Sequence, residues 1–402
     1  MTRRIVVAGA SMGGLRAAEQ LRAAHWTGAI TVIGDEPHMP YNRPPLSKEV
    51  LAGKAPFESL AFTPKASAAD VEWRLGASVT SARLADRVVV LDSGEELAFD
   101  GLVVATGMRS RRLRCEGPLA GRHTVRTLAD AQALRDELTR PGARVVVVGA
   151  GFIGCEVAAT AVGLGVSEVT VVDPLPLPMV GPLGELLGRA LLRRHEERGV
   201  RFALGTGVAG FEGEDRVTGV VLSDGTVLPA DVVVESVGSV ANTEWLDGNG
   251  LDLTDGVLTD GRLRVGGLPY VVAVGDVARF PNARYDGVPR RVEHWSIPTD
   301  TAKHAAKSLV AHLLGVEADL DPFAPLPTFW SDQHEFRLQS FGAPVLGRDD
   351  VRVLDGDPDG DVLVGYHAGG RLVGVVALGG HAAATGAARY RAQLLKQPAL
   401  TA

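Results

Sequence analysis

Cysteine is scarce in this chain of 402 residues, which contains only Cys115 and Cys155. Two thiols cannot supply the four ligands of a structural zinc site or of an iron–sulfur cluster, and no Cys-x-x-Cys pair occurs. The histidines are scattered without the spacing of metal ligands, so no metal site is predicted. We interpret both cysteines as small apolar residues in the core.

An excess of positive charge and long apolar runs are also absent. The 41 Lys and Arg residues are outnumbered by 48 Asp and Glu residues, and the resulting net charge of −7 argues against nucleic acid as a partner. No stretch approaches the ~18 apolar residues of a membrane helix. The apolar run at residues 5–8 ends after four residues at Gly9, which indicates a first strand and not a signal peptide. We therefore expect a cytoplasmic protein that does not cross a membrane.

The most informative motif in the sequence is a glycine-rich turn between a strand pattern and a helix pattern. Four valines at residues 145–148 lead into Gly149-x-Gly151-x-x-Gly154. Glycines at these positions let the backbone approach a pyrophosphate and place it on a helix N-terminus. Asp173 follows Gly154 by 19 residues, the spacing of a carboxylate that binds a ribose hydroxyl. The alternative is a tight strand–helix turn that binds nothing.

A second turn of the same kind lies at the start of the chain. Residues 5–8 lead into Gly9-x-Ser11-x-x-Gly14, and Asp35 follows Gly14 by 21 residues at the end of the next apolar run. Ser11 stands where the second glycine is expected, and its small side chain weakens the match without breaking it. The two turns begin 140 residues apart, which predicts two dinucleotide-binding domains.

Two dinucleotide sites in one chain imply two dinucleotides. A tightly bound FAD and a transiently bound NAD(P)H fit this arrangement, because hydride passes from nicotinamide to flavin. The sequence after Asp173 continues Pro-Leu-Pro-Leu-Pro-Met, without an Arg or Lys that could bind a 2′-phosphate. NADH is therefore favoured over NADPH.

Polar residues of three other segments are candidates for cofactor contacts. The loop at residues 40–48, PYNRPPLSK, carries Arg43 and Lys48 on a proline-stiffened backbone just after Asp35. It is interpreted as a cationic arm against the pyrophosphate or flavin, or else as an ordinary rigid loop. An apolar strand pattern also ends at Gly275-Asp276, where the carboxylate could accept a hydrogen bond from a ribityl hydroxyl.

The pattern of elements predicts an α/β fold with two Rossmann-like domains, followed by a C-terminal α+β domain. Prolines 322, 325 and 327 mark a linker, beyond which residues 361–377 form a hairpin pattern and a final helix is expected over residues 382–395. The predicted domains are a discontinuous FAD domain of residues 1–109 and 242–320, an NADH domain of residues 110–241, and a C-terminal domain of residues 321–402.

Nearly the whole chain resembles the FAD-dependent NADH:ferredoxin reductases of cytochrome P450 and aromatic-ring dioxygenase systems, which have a glutathione-reductase-like fold. The motifs that carry the resemblance are PYNRPPLSK at 40–48, ATG at 105–107, Gly275-Asp276, EHWS at 293–296 and FWSDQ at 329–333. One departure is Ala241, which stands where the family usually has proline at the exit of the NADH domain. The loop at residues 236–242 is therefore expected to be less rigid.

The resemblance also implies roles for individual residues. Lys48 would pair with Glu156 beside flavin N5, and Trp295 would lie near the flavin–nicotinamide stack, so these three are the predicted catalytic residues. An ordinary domain-bridging salt bridge is the alternative for the Lys48–Glu156 pair. The complete predicted FAD set is Gly9, Ser11, Gly13, Gly14, Asp35, Arg43, Lys48, Val79, Thr106, Gly107, Arg126, Gly275, Asp276 and Trp295. The complete predicted NADH set is Gly149, Gly151, Ile153, Gly154, Glu156, Asp173 and Gly238.

The function implied by the resemblance is electron transfer from NADH through FAD to a [2Fe–2S] ferredoxin that serves a cytochrome P450 or a Rieske-type oxygenase. Because such ferredoxins are acidic, a local basic patch is expected, with Arg290, Arg291, Arg109, Arg111 and Arg112 as candidates. A disulfide reductase or NADH peroxidase is rejected, because no cysteine precedes Cys115 where those enzymes need a reactive one. A protein like apoptosis-inducing factor that acts by contact, or one like rubredoxin reductase with another acceptor, stays open.

Overall fold

A computed structural model describes residues 3–316 and 320–397 of the chain. Three sheets of five or six strands dominate the fold: two are mainly parallel and flanked by helices, and the third is antiparallel. Within the described residues, no helix is both long enough and apolar enough to cross a bilayer.

The first parallel sheet is built around the amino-terminal strand. Strand β1 pairs in parallel with β2 on one side and β7 on the other, so that Val6 lies opposite both Thr31 and Leu102. Residues 5–8 of this strand are fully buried, which explains their unbroken apolar run. The first segment contains β1 (Arg4–Ala8), α1 (Met12–Ala23), β2 (Ala29–Gly34), β3 (Glu72–Leu75), β4 (Val79–Arg83), β5 (Val88–Leu91), β6 (Glu96–Ala98), β7 (Gly101–Val104) and β8 (Met108–Ser110).

The second segment forms another parallel sheet, of five strands in the order β12-β11-β10-β16-β9. Strand β10 lies at its centre, with Val146 opposite Thr170 and Val233. The elements are β9 (Arg122–His123), α2 (Leu128–Leu138), β10 (Arg144–Val148), α3 (Phe152–Gly163), β11 (Glu168–Asp173), α4 (Val180–Glu196), β12 (Val200–Leu204), β13 (Val208–Glu212), β14 (Gly219–Leu222), β15 (Val227–Pro229) and β16 (Val232–Glu235).

The third segment returns to the first sheet and completes it. Strand β20 pairs in parallel with β7, with Val272 opposite Val103, and α5 packs against α1. This confirms that the first dinucleotide-binding fold is discontinuous in sequence. The chain crosses between the two folds where β8 and β17 pair antiparallel. The elements are β17 (Ser239–Ala241), β18 (Val257–Leu258), β19 (Arg264–Val265), β20 (Leu268–Ala273), β21 (Ala278–Phe280), β22 (Arg290–Arg291) and α5 (Ile297–Leu314).

The last segment is an antiparallel sheet of five strands, in the order β23-β24-β27-β26-β25, with two short helices. The expected single helix over 382–395 is wrong: the chain turns at residues 389–390 and forms two helices. The α+β class of this segment is confirmed. The elements are β23 (Thr328–Gln333), β24 (Phe336–Gly342), β25 (Val351–Gly356), β26 (Val362–Ala368), β27 (Arg371–Gly379), α6 (His381–Ala388) and α7 (Arg391–Lys396).

Candidate active site

The first glycine turn joins β1 to α1 and needs glycine for two close backbone approaches. Gly9 has φ +117°, and a Cβ there would lie 2.1 Å from the carbonyl oxygen of Ala105. A Cβ on Gly14 would lie 1.9 Å from the Gly9 oxygen. Ser11 caps the helix with extended backbone and makes no side-chain cap hydrogen bond. Gly13 is buried, with Ala105 and Val274 in ordinary contact range of the place where a Cβ would be.

Asp35 and Val79 lie on the rim beyond this turn. Asp35 follows β2, is exposed, and accepts a hydrogen bond from the backbone of Glu36 at 3.0 Å. The Ala77 amide donates to the Gly34 carbonyl at 2.9 Å, which brings the start of β4 at Val79 beside the end of β2. The acid is thus open to solvent at the carboxyl end of a parallel strand, the usual place for ribose recognition.

The second glycine turn joins β10 to α3 with the same construction. A Cβ on Gly154 would lie 1.9 Å from the Gly149 oxygen, and one on Gly149 would lie 2.2 Å from the Ser236 oxygen. At Gly151, the helix cap, a Cβ would meet no atom of residues 3–316 or 320–397 within 4 Å. Ile153 is 42% exposed in the first turn of α3. The space beside Gly151 leaves room for a ligand to approach the backbone.

Asp173 ends β11 and is bound to the second turn. Its Oδ2 accepts a hydrogen bond from the Ala150 amide at 2.7 Å, and its Oδ1 accepts one from Leu175 at 2.8 Å. Each carboxylate oxygen keeps a lone pair for a further donor. The acid therefore fixes the turn and can still accept a bond from a ribose hydroxyl.

Lys48 and Glu156 form a buried ion pair between the two dinucleotide-binding folds. Lys48 Nζ lies 2.7 Å from Glu156 Oε2, and the two side chains are 11% and 3% exposed. Ser47 Oγ donates to the same carboxylate oxygen at 2.6 Å. Lys48 Nζ also donates to the Pro44 carbonyl at 3.1 Å. The structure thus brings together two residues that lie 108 positions apart in the chain.

Sequence reasoning missed a third donor to this carboxylate. Ser331, on β23 of the C-terminal domain, donates from Oγ to Glu156 Oε1 at 2.5 Å. The available signal was the alternation at the end of FWSDQ, where Ser331 and Gln333 are buried and Asp332 between them is partly exposed. A period of two identifies the inward face of a strand but not the residue that it contacts.

Asp276 and Arg126 lie together near the carboxyl end of β20. Arg126 lies 3.7 Å from the Asp276 carboxylate and donates to the Met108 carbonyl at 3.1 Å. Burial raises the pKa of Asp276 to about 6, although the positive charge of Arg126 opposes the shift. Gly275 precedes it with φ +78° and donates its amide to Thr301 Oγ1 at 2.9 Å. This carboxyl group lies in a low-dielectric environment where a hydroxyl partner would be favourable.

Thr106, Gly107 and Gly238 lie where the chain crosses between the two folds. Thr106 Oγ1 donates to the Asn242 carbonyl at 2.7 Å, and Asn242 returns a bond to the Thr106 carbonyl at 2.9 Å. Gly107 has φ +62° and Gly238 has φ +95°, conformations that favour glycine. The Gly238 carbonyl accepts from the Arg111 amide at 3.0 Å, so the loop with Ala241 is anchored by backbone bonds.

Arg43 and Trp295 each link the loop at residues 40–48 to another segment of the protein. Arg43 donates to the Arg126 carbonyl at 2.6 Å and pairs with Glu36 at 2.5 Å. Trp295 is 40% exposed, donates from its indole nitrogen to Asn42 at 3.0 Å, and meets Trp330 edge to face at 5.7 Å. Trp295 is thus held beside the loop that carries Lys48.

The arginines expected to form a basic patch are mostly paired with acids. Arg290 bonds Asp286 at 2.6 Å, and Arg291 bonds Asp255 at 2.7 Å. Arg109 bonds Glu244 at 2.5 Å, and Arg112 lies 3.4 Å from Glu235. A basic docking patch built from these residues stays a prediction, because local acids offset their charge.

The residues present fit two dinucleotides. Both turns have glycines that a side chain would drive into backbone, and each turn is followed by an acid at the end of the next strand. Gly9–Gly14, Asp35, Lys48, Arg126 and Asp276 would hold FAD, and Gly149–Gly154, Asp173 and Gly238 would hold NADH. Cys155 is fully buried, and burial raises the pKa of its thiol, so it is not the thiolate that disulfide chemistry needs.

Fold and site together define an oxidoreductase with two dinucleotide-binding folds and a C-terminal α+β domain. A family model described as pyridine nucleotide-disulphide oxidoreductase matches residues 3–302, and one described as reductase C-terminal matches residues 328–397. The chain belongs to the pyridine nucleotide-disulphide oxidoreductase family and, within it, to the ferredoxin reductases, which use FAD and NAD(H).

Three relatives show the extent of the similarity. A probable ferredoxin reductase of Castellaniella defragrans is 38% identical over 92% of this chain and 89% of its own length. The putidaredoxin reductase of Pseudomonas putida is 37% identical over 92% of this chain and 87% of its own. The structure of a covalent putidaredoxin reductase–putidaredoxin complex matches with a TM-score of 0.88 and 33% identity, covering 98% of this chain and 93% of that one. The predicted family and fold are confirmed.

Proposed function

We propose that this enzyme transfers electrons from NADH through FAD to a [2Fe–2S] ferredoxin that serves a cytochrome P450 or a Rieske-type oxygenase. Two similar proteins support the choice of acceptor, a biphenyl dioxygenase system ferredoxin–NAD(+) reductase component and a putidaredoxin reductase. FAD supplies the chemistry of this reaction, because it accepts hydride as an electron pair and gives up electrons singly.

The observation that carries this proposal is the ion pair between Lys48 and Glu156. It lies where the loop after the first turn meets the helix of the second turn, so it spans the two dinucleotide-binding folds. The Lys48 ammonium supplies positive charge in a protein interior, where charge interactions are stronger than in water. We assign Lys48 the role of stabilising negative charge that develops at this junction, and Glu156 the role of holding Lys48 there.

NADH is the proposed donor because Asp173 ends strand β11, where a carboxylate would accept a hydrogen bond from the ribose of the second dinucleotide. Its carboxylate would repel a 2′-phosphate, and no Lys or Arg follows it in the segment from Pro174 to Met179. The cytoplasm is the proposed compartment, because NADH is available there and the two free cysteines stay reduced.

Stopped-flow spectroscopy of the purified yellow protein tests the proposal. Mixing with NADH should bleach the flavin absorbance rapidly, and a ferredoxin from a panel of [2Fe–2S] proteins should then be reduced at a comparable rate. Lys48→Met should slow flavin reduction by about 100-fold, the loss expected for a preorganised charge at a reacting centre. Rapid reduction by NADH without transfer to any ferredoxin would favour another acceptor, and slow reduction would favour a contact-based role.

A further inference from the structure

Glu156 is the end of a chain of hydrogen bonds that runs into the C-terminal domain. Beyond the bond from Ser331 to Glu156, Gln333 Nε2 donates to Ser331 Oγ at 2.9 Å. Gln333 Oε1 lies 2.8 Å from His195 Nε2, and His195 Nδ1 lies 3.2 Å from His334 Nε2. Five side chains from both the second dinucleotide-binding fold and the C-terminal domain are thus connected in one line.

Side chains alternate between the two faces of strand β23, which explains why two members of this chain of hydrogen bonds lie two residues apart. Ser331 and Gln333 point to the buried face of the strand and are 0% and 1% exposed. Helix α3 brings Glu156 to that face, and helix α4 brings His195, which is 0% exposed. A polar group buried to this degree must find its partners inside the protein.

The direction of each bond in the chain is determined by the carboxylate at its end. Because ionised Glu156 can only accept, Ser331 uses its single proton on Glu156 and must itself accept from the amide of Gln333. The carbonyl oxygen of Gln333 then accepts from His195 Nε2–H, which leaves Nδ1 of His195 as an acceptor. Burial lowers the pKa of His195 to about 4, which keeps the ring in the neutral form that this pattern needs.

Glu156 is therefore held from two sides by different domains. Lys48 and Ser47 donate to Oε2, while Ser331 alone donates to Oε1 in the part of the chain that the structure describes. Without Ser331, the carboxylate could rotate about its terminal bond and its charge would be shared by fewer donors. The Glu156 carboxylate would then neutralise more of the positive charge of Lys48.

We propose that Ser331 is a positioning residue for the Lys48–Glu156 pair, and that Gln333 and His195 fix Ser331 in turn. The C-terminal domain thereby contributes to the cofactor site through Glu156, and Ser331, Gln333 and His195 need not touch a cofactor themselves. This inference rests on the proposed function, because it concerns the pair that the function assigns to the junction of the two sites.

The first test is the two-electron midpoint potential of FAD in the purified holoprotein. Ser331→Ala should shift the potential negative by about 30 mV, equivalent to a tenfold change in the reduction equilibrium. Stopped-flow reduction by NADH should slow by a similar factor, with little change in the dissociation constant of NADH. Ser331→Thr keeps a hydroxyl at the same position and should restore both values.

Ser340→Ala is the matched control for loss of a buried hydroxyl. Ser340 is 0% exposed on the adjacent strand β24, and its Oγ has no hydrogen-bond partner within the described residues. It should leave the potential unchanged. If Ser331→Ala does not retain FAD, Gln333→Leu removes the next link and should shift the potential in the same direction by a smaller amount.

The inference is overturned if Ser331→Ala and Gln333→Leu both keep the wild-type potential and reduction rate. It is also overturned if Ser340→Ala shifts the potential as much as Ser331→Ala, because the effect would then be general loss of packing. Potentials can be measured by chemical reduction, so they remain informative even if no ferredoxin accepts electrons. Failure to reduce any ferredoxin would refute the proposed acceptor and leave the role of Ser331 intact.

Discussion

The two glycine turns of this protein have the same backbone arrangement but differ in the contacts that their helices make. In both turns, a Cβ on the third glycine would lie 1.9 Å from the carbonyl oxygen of the first. Two residues after that glycine, the first helix has Arg16 and the second has Glu156. Arg16 pairs with Glu19 of its own helix at 2.8 Å, whereas Glu156 contacts both other domains. The charge on the first helix is thus paired within that helix, whereas the charge on the second helix joins three domains.

The largest difference should appear when the two helical charges are removed. Glu156→Gln leaves the Lys48 ammonium without its buried partner and should cost about 3 kcal/mol of stability, as expected when one member of a buried pair is lost. In Arg16→Gln the affected pair is only partly buried, with Arg16 22% exposed and Glu19 1% exposed. Glu19 keeps a hydrogen bond from the Lys65 amide at 3.1 Å, so the loss should be smaller, about 1 kcal/mol. Urea denaturation of the holoenzymes compares them, and equal losses would contradict the distinction between the turns.

Because the two turns have the same backbone arrangement, a methyl group at the third glycine of either turn should reduce stability equally. Gly14→Ala and Gly154→Ala each force a Cβ against a backbone oxygen, and each should cost about 3 kcal/mol through overpacking. Differential scanning calorimetry measures both losses. Tolerance of alanine at only one of the two positions would show that the turns are not built alike.

The stability of the protein should depend on pH through His195, which lies on helix α4 of the second dinucleotide-binding fold. Burial lowers the pKa of His195 to about 4, so between pH 6.5 and 4 the unfolded chain binds a proton that the folded chain does not. Stability from this residue is therefore lost as the pH falls through that window, by up to about 3 kcal/mol. Asp276, with its pKa raised to about 6, acts in the opposite direction.

His195→Gln separates these contributions, because its amide can still donate to Gln333 but does not titrate. The denaturation midpoint of the wild type should fall relative to that of the variant as the pH falls from 6.5 to 4. A constant difference across that range would mean that His195 does not titrate differently in the folded and unfolded states.

The smallest expected effect concerns the second position of each turn. Gly151→Ser gives the second turn the residue of the first, and no atom in the described part of the chain lies within 4 Å of the added Cβ. The fold should be unaffected, while the KM for NADH should rise about tenfold because the side chain enters space that the pyrophosphate would use. Gly163→Ser, at the other end of the same helix, adds the same side chain where an added Cβ also meets no described atom within 4 Å, and it should leave NADH kinetics unchanged. An unaltered KM for Gly151→Ser would place the dinucleotide elsewhere.

The fold was largely predictable because parallel strands between helices leave local signatures. The valines of β10 read as a buried strand, and the two glycine turns identified both dinucleotide-binding folds. The terminal helix was predicted as one element because apolar spacing alone did not reveal the turn at residues 389–390. Element boundaries of this kind depend on packing against the sheet, which propensity does not encode.

Sequence alone determined the two glycine turns, the acids Asp35 and Asp173 that follow them, and the family, because each depends on residues close together in the chain. Its resemblance to known reductases also indicated the pair of Lys48 and Glu156. Only the tertiary structure showed that Ser331 donates to that pair from a separate domain. A buried carboxylate takes whatever donors packing brings within reach, and those donors lie at sequence separations that no local pattern encodes.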